Sequence, residues 1–178
     1  MSHLIYDVAV SIDGYISGPD GDISAFPHSG QIVDDYVHRL DGYAVALMGR
    51  ATYEFGYAFG LQPGANPYPQ MRSTILSRRI DLPPDPDVVI VRDESVDYVR
   101  RLKAETDGNI YLCGGGALAA SLAEAGLIDR LFLKRAPILL GGGTRLFGER
   151  GANLRLTQTG QTDYGGGLML QSFDCERA

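Results

Sequence analysis

Short apolar runs bounded by turn residues recur at Ile5 to Val10, Tyr43 to Met48, Ser73 to Leu76, Val88 to Val91, Asn109 to Cys113, Arg130 to Leu139, Leu154 to Thr162 and Leu168 to Asp174, and each predicts a strand. Between them the apolar positions move to helical spacing. Ile32, Val33, Tyr36, Val37 and Leu40 form one such set, Val96, Val99 and Leu102 a second, and Leu118, Leu122 and Ala125 a third. A shorter helix is expected after Gly49-Arg50, with Tyr53 on its inner face.

Ala44 to Met48 and Val88 to Val91 are apolar at nearly every position, as strands are when helices cover both faces of a largely parallel sheet. The C-terminal part is patterned differently. Leu154 and Leu156, then Leu168 and Leu170, alternate with polar neighbours, and Asp163-Tyr164-Gly165-Gly166-Gly167 reads as a hairpin turn, so the sheet should finish antiparallel. The expected fold is α/β, a three-layer αβα arrangement around a mixed eight-stranded sheet, in a single domain over residues 1–178. Gly60 to Pro69 and Pro83 to Pro86 read as surface connections, because clustered proline and glycine exclude both helix and central strand.

Two glycine-marked junctions carry the candidate chemistry. Gly49-Arg50-Ala51-Thr52 follows one strand and Gly114-Gly115-Gly116-Ala117 another, and in each a helix should begin at the glycine. Unpaired backbone N–H groups and the positive end of a helix dipole then face outward, a setting that attracts phosphate. Two such starts in one chain suggest a ligand with more than one phosphate, such as a dinucleotide.

Charge and cysteine content narrow the ligand class. The 178 residues carry a net charge of -6 at a sequence pI near 5.0, which disfavours a nucleic-acid footprint, since that needs clustered positive charge. Cys113 and Cys175 have no Cys or His neighbour at metal-ligand spacing, so reduced buried thiols are expected and no metal. The chain enters its first strand without a signal-like segment, and no apolar run nears the roughly 18 residues of a membrane span, so a cytoplasmic protein off the membrane is expected.

Neither Gly114 to Ala119 nor Gly141 to Leu146 makes the three-glycine dinucleotide pattern, and no Gly-Lys-Ser or Gly-Lys-Thr makes a P-loop. No acidic residue stands where a Rossmann unit would place one, about 20 positions after Gly116. A bound dinucleotide therefore belongs to another fold. The order Val10-Ser11-Ile12-Asp13-Gly14-Tyr15-Ile16, Met48-Gly49-Arg50-Ala51-Thr52-Tyr53, Leu76-Ser77-Arg78, Cys113-Gly114-Gly115-Gly116 and Pro137-Ile138-Leu139-Leu140-Gly141 resembles the dihydrofolate-reductase-like superfamily. Within it, the chain is most similar to the branch of the riboflavin-biosynthesis reductase, the RibD C-terminal-like domain, over nearly its whole length.

The resemblance implies NADPH across the C-terminal ends of the strands. Gly49, Arg50, Ala51 and Thr52 would line its phosphates on one side, and Gly114, Gly115, Gly116, Ala117 and Leu118 on the other. Arg50, with Leu76, Ser77 and Arg78, would take the 2′-phosphate, for which the guanidinium fork is suited. The nicotinamide would rest near Val8, Ala9 and Ile16, under a closing loop at Ser17 to Asp22.

The implied reaction is hydride transfer to a small heterocycle, either a ribosylamino-pyrimidine of the riboflavin type or a pterin-like ring, and it needs one proton source. Asp34 stands near the place of the family's acid. Acidic residues also favour any first helical turn, and both readings of Asp34 and Asp35 stay open. The chain has no Trp, unlike folate reductases before that acid, and no zinc-deaminase signature, so the resemblance implies the reductase half alone. The alternative is an NADPH-binding module without turnover. A homodimer is the expected assembly.

Other residues have plainer expectations. Asp13-Gly14 reads as a tight turn, Tyr53 and Phe55 as core, and Gly141 to Arg145 as a strand-exit loop that borders the site or a dimer contact. His28 is the histidine placed to reach a substrate.

Overall fold

The computed structural model of the protein describes residues 2–177, Arg177 by its backbone alone. Ten strands and four α-helices follow in the order β1 (Leu4–Ser11), β2 (Tyr15–Ser17), α1 (Gln31–Leu40), β3 (Tyr43–Gly49), α2 (Arg50–Phe55), β4 (Arg72–Leu76), β5 (Val89–Val91), α3 (Ser95–Glu105), β6 (Asn109–Gly114), α4 (Gly116–Glu124), β7 (Arg130–Ala136), β8 (Thr144–Arg145), β9 (Leu154–Asp163) and β10 (Met169–Arg177). Eight of the strands form one sheet, ordered β5-β4-β3-β6-β1-β7-β10-β9. The first six in that order pair in parallel, whereas β10 runs antiparallel to both β7 and β9. The mixed, helix-covered sheet expected from the sequence is the one observed.

The unbroken apolar runs have a direct cause, because successive side chains of a strand point to opposite faces and here both faces are covered. Leu4, Tyr6, Val45, Leu47, Ile110 and Leu112 pack with Val99 and Leu102 of α3 and Leu122 of α4. Their neighbours Ile5, Ala46, Met48 and Tyr111 pack on the other face, with Leu40 of α1 and Tyr53 of α2. Each of the central strands β1, β3 and β6 thus feeds two cores, one per layer of helices.

Three expectations change. The run predicted over Arg130 to Leu139 leaves the sheet at Ala136, because Pro137 has no N–H to donate; Leu139 is exposed. Val88 to Val91 is not a doubly covered strand. As β5 it is the sheet edge, with Val89 partly exposed, since nothing follows it in the strand order. A short ribbon of β2 and β8 was not predicted, because three and two residues carry no readable period.

That ribbon explains Gly141 to Arg145. Gly143 has φ +113, and a Cβ there would collide with the Ser17 carbonyl and Gly18, so the close approach of β8 to β2 requires glycine. Asp13 locks the same corner. Its carboxylate accepts N–H bonds from Leu140 and Gly141 and an O–H bond from Ser11, which with minor backbone contributions hold its pKa down to about 2. The structural role expected for Asp13 is therefore larger than a turn, because it ties the end of β1 to the exit of β7.

Candidate active site

The C-terminal ends of β1, β3 and β6, the segment from Ile16 to His28, and helix α2 enclose a cavity of about 640 Å³. The two glycine corners meet on its wall. Met48 lies opposite Gly114 in the β3–β6 register, and a Cβ built on Gly115 would stand 3.3 Å from the Thr52 hydroxyl oxygen. Neither α2 nor α4 has a side-chain cap at its start, and the space beside Gly49 is open for 4 Å. Backbone donors of two helices therefore converge beside one cavity, which fits a diphosphate-bearing group.

Of the residues expected to bind cofactor, Val8, Ala9, Ile16, Ala51, Thr52, Gly114 and Gly115 line this cavity. Gly49 and Arg50 stand outside it at the end of β3, beside Leu76, which pairs with Gly49, and beside the following Ser77 and Arg78. Arg50 is exposed and holds Glu54 at 2.9 Å. Arg78 is exposed as well, and so is Arg79, which the sequence reading passed over. The Ser77 hydroxyl accepts N–H bonds from Arg79 and Ile80, shaping that turn.

Gly116, Ala117 and Leu118 form the first turn of α4 outside the cavity. Gly116 is buried there, and a Cβ on it would collide with the Arg145 carbonyl and the Gly148 amide. Asp34 lies on the exposed side of α1 and does not line the cavity. Its neighbour Asp35 accepts a hydrogen bond from Tyr164 at 2.7 Å, which ties the β9–β10 hairpin to α1 and, as the leading influence, keeps the Asp35 carboxyl below its ordinary range. Phe55 is not core, since it stands partly exposed on the cavity wall beneath Gly21; Tyr53 is both core and wall.

The floor is a set of charges that the sequence reading missed. Asp7, in the middle of β1, is fully buried, and it receives hydrogen bonds from Arg39 of α1 at 2.9 and 3.3 Å, Lys134 of β7 at 2.9 Å and the Tyr43 hydroxyl at 3.3 Å. Burial would raise its carboxyl, but the Lys134 and Arg39 cations more than cancel that and hold it ionised below the usual carboxylate range. Burial has the opposite success at Lys134. Despite Asp7, desolvation pulls the ammonium below its ordinary value.

Lys134 also sits 3.5 Å over the ring centre of Tyr36. The Tyr36 and Tyr111 hydroxyls are 2.6 Å apart, and the Tyr68 hydroxyl lies 3.1 Å from the Cys113 sulfur. Burial, aided by the nearby Cys113, raises the pKa of all three phenols, so each keeps its proton and can donate. Cys113 is a free thiol on the cavity wall, and burial pushes its pKa up. Asp7 did give a signal in the chain, since a charge at an interior position of an otherwise apolar strand must be paired; Lys134, between Arg130 and Arg135 in β7, did not stand out, and nothing along the chain named it as the partner.

The sequence model of the RibD C-terminal domain family matches residues 2–170. The uncharacterized Bacillus subtilis protein YwjB is 27% identical over 164 residues, covering 92% of each chain. The crystal structure of a putative riboflavin biosynthesis protein from Shewanella sp. PV-4 superposes with a TM-score of 0.79 at 26% identity, over 99% of this chain and 100% of that one. A dihydrofolate reductase from Enterococcus faecalis, complexed with NADP(H), shares the fold at a TM-score of 0.67 and 16% identity, over 98% and 96% of the two chains. The fold is therefore dihydrofolate-reductase-like. Among the described residues, no helix is long and apolar enough to cross a membrane.

Proposed function

The chain belongs to the RibD C-terminal domain family, and from that premise we propose that it is an NADPH-dependent reductase acting on a small heterocycle, a ribosylamino-pyrimidine of the riboflavin type or a pterin-like ring. One observation carries the reading: two helix starts rich in backbone donors meet at a single cavity whose floor holds a buried Lys134 paired with Asp7. Gly49, Arg50, Ala51 and Thr52 hold the diphosphate from one side, and Gly114, Gly115, Gly116, Ala117 and Leu118 from the other. Leu76, Ser77 and Arg78 place the 2′-phosphate beside Arg50, and Val8, Ala9 and Ile16 form the apolar seat of the nicotinamide.

When bound, the reduced nicotinamide supplies the hydride. The chain's own task is to hold the heterocycle flat in the cavity and to give one proton to the nitrogen or oxygen that gains the electron pair as hydride adds to the carbon beside it. Lys134 is placed for this and Asp34 is not, because Lys134 opens on the cavity while Asp34 faces solvent. Asp7 keeps the ammonium oriented, and Arg39 shares the negative charge of Asp7, so Lys134 is not locked as its sole counter-ion.

Titration of the protein with NADPH and NADH, followed by calorimetry and tyrosine fluorescence, tests the reading. Micromolar binding of NADPH with much weaker NADH is expected, and micromolar binding of neither rejects it. The same proposal places the protein in the cytoplasm as a homodimer, which light scattering on the purified chain checks.

A further inference from the structure

Resting on the reductase reading above, we propose that the substrate is an uncharged, unphosphorylated planar ring bearing a carbonyl or imine, and that the cavity discriminates against its phosphate esters. Among the described residues, Lys134 is the sole Lys or Arg that lines the cavity. Its ammonium is already engaged by Asp7 at 2.9 Å and by the face of Tyr36. In the reading above the cofactor's diphosphate takes the backbone donors at the two helix starts, so the phosphate of a substrate ester would have to find free cationic side chains, preferably a guanidinium fork. The arginines that would suit it, Arg50 and Arg78, stand at the ends of β3 and β4 outside the cavity.

The mouth repeats the message with the opposite charge. The segment over the cavity carries exposed Asp20 and Asp22 on either side of Gly21, which lines it. The first turns of α1 hold Asp34 and Asp35, next along the chain to the lining residues Ile32 and Val33. The positive end of the α1 dipole is thereby met by the chain's own carboxylates. His28 is the one other basic group on the wall, at an exposed position.

What remains fits a flat neutral ring. Ile16, Ile23, Phe26, Ile32 and Phe55 offer apolar walls, and the floor offers the spare N–H of Lys134 and the one O–H that the hydrogen-bonded Tyr36–Tyr111 pair leaves unused. Those donors match a carbonyl oxygen or imine nitrogen, and the apolar walls match the two faces of a conjugated ring.

The test is calorimetric titration of the cofactor-free protein and of the protein saturated with NADP⁺, using lumazine, a 5-amino-6-ribosylaminouracil and its 5′-phosphate as probes. Lumazine and the unphosphorylated riboside should bind, with the phosphate ester about tenfold weaker at low salt and the gap closing as salt screens the acidic mouth. Val33→Arg, which adds a free guanidinium at the wall, should narrow the gap to about threefold or less by strengthening the ester. A phosphate ester that binds as tightly as the riboside, or binding of none of the three probes, overturns the proposal. Where NADP⁺ binds, the selectivity is read in the saturated protein, because the helix-start donors are then occupied; loss of NADPH binding alone would instead overturn the reductase reading, and the selectivity is then read in the cofactor-free protein.

Discussion

The two ends of the cavity are built from different materials. At the glycine corners the working groups are backbone N–H donors, set by where β3 and β6 end and α2 and α4 begin; no side chain completes them. At the floor the working groups are side chains from three separate elements, Asp7 of β1, Arg39 of α1 and Lys134 of β7, which meet only because the sheet and its covering helix are assembled. At the corner the constraint is backbone space, as Gly116 shows, where a Cβ would collide with the Arg145 carbonyl. The floor tolerates no unpaired charge. One end suits recognition of a group common to many reactions, and the other suits recognition of a particular ring.

Removing a partner from the floor should have the largest effect. Asp7→Ala leaves Lys134 and Arg39 without their shared counter-ion inside the protein, and should cost about 3–5 kcal/mol of stability in urea unfolding. A loss below about 1 kcal/mol would show that the floor is wet and the pairing loose. Lys134→Met keeps Asp7 paired with Arg39 and should fold. It is expected to slow NADPH oxidation against the best ring substrate about a hundredfold while NADPH affinity stays within about threefold. Asp34→Asn should leave the rate near that of the parent, and a large fall there would return the proton role to Asp34.

The corner is tested next. Arg50→Ala should weaken NADPH by about 1.5–3 kcal/mol and NADH little, the pattern of a lost charge-assisted contact to the 2′-phosphate. Equal losses for the two cofactors would make Arg50 structural, through its pair with Glu54. Gly116→Ala should cost about 1–3 kcal/mol in thermal unfolding, because the added methyl has to push back the Arg145 carbonyl.

The smallest expected effect lies at Asp13, which belongs to neither end. Its pKa is held at about 2 in the folded protein against a usual 3.8, so its contribution is present above about pH 4 and is lost as pH falls from there toward 2. Asp13→Asn should flatten that part of the stability profile measured by thermal unfolding between pH 5 and 2. An unchanged profile would mean that the loop at Leu140 and Gly141 is held by other contacts.

All eight strands of the main sheet and all four helices were legible in the chain, because period, β-branched runs and glycine breaks are local signals. So were the two glycine corners and the turn at Asp13. The ends of elements were less so: Pro137 cut β7 short where the run of apolar residues continued, and the edge position of β5 left Val89 partly exposed where its composition suggested a covered strand. The acid was sought on α1, at Asp34, since that residue stood near the place the resemblance implied. In the folded chain Asp34 faces water, and the buried acid is Asp7.

By itself, then, the sequence determined the layered sheet, its antiparallel finish and the helix starts that present backbone donors, since each follows from neighbours a few positions apart. Only the tertiary structure decided which charges share the cavity. Asp7 and Lys134 are 127 positions apart along the chain and 2.9 Å apart in space, and the hydroxyls of Tyr36 and Tyr111, 75 positions apart along the chain, meet at 2.6 Å. No periodicity encodes such a meeting. It arises because β1 lies between β6 and β7 in the sheet while α1 covers that face, so a charge with no local partner finds one from another strand.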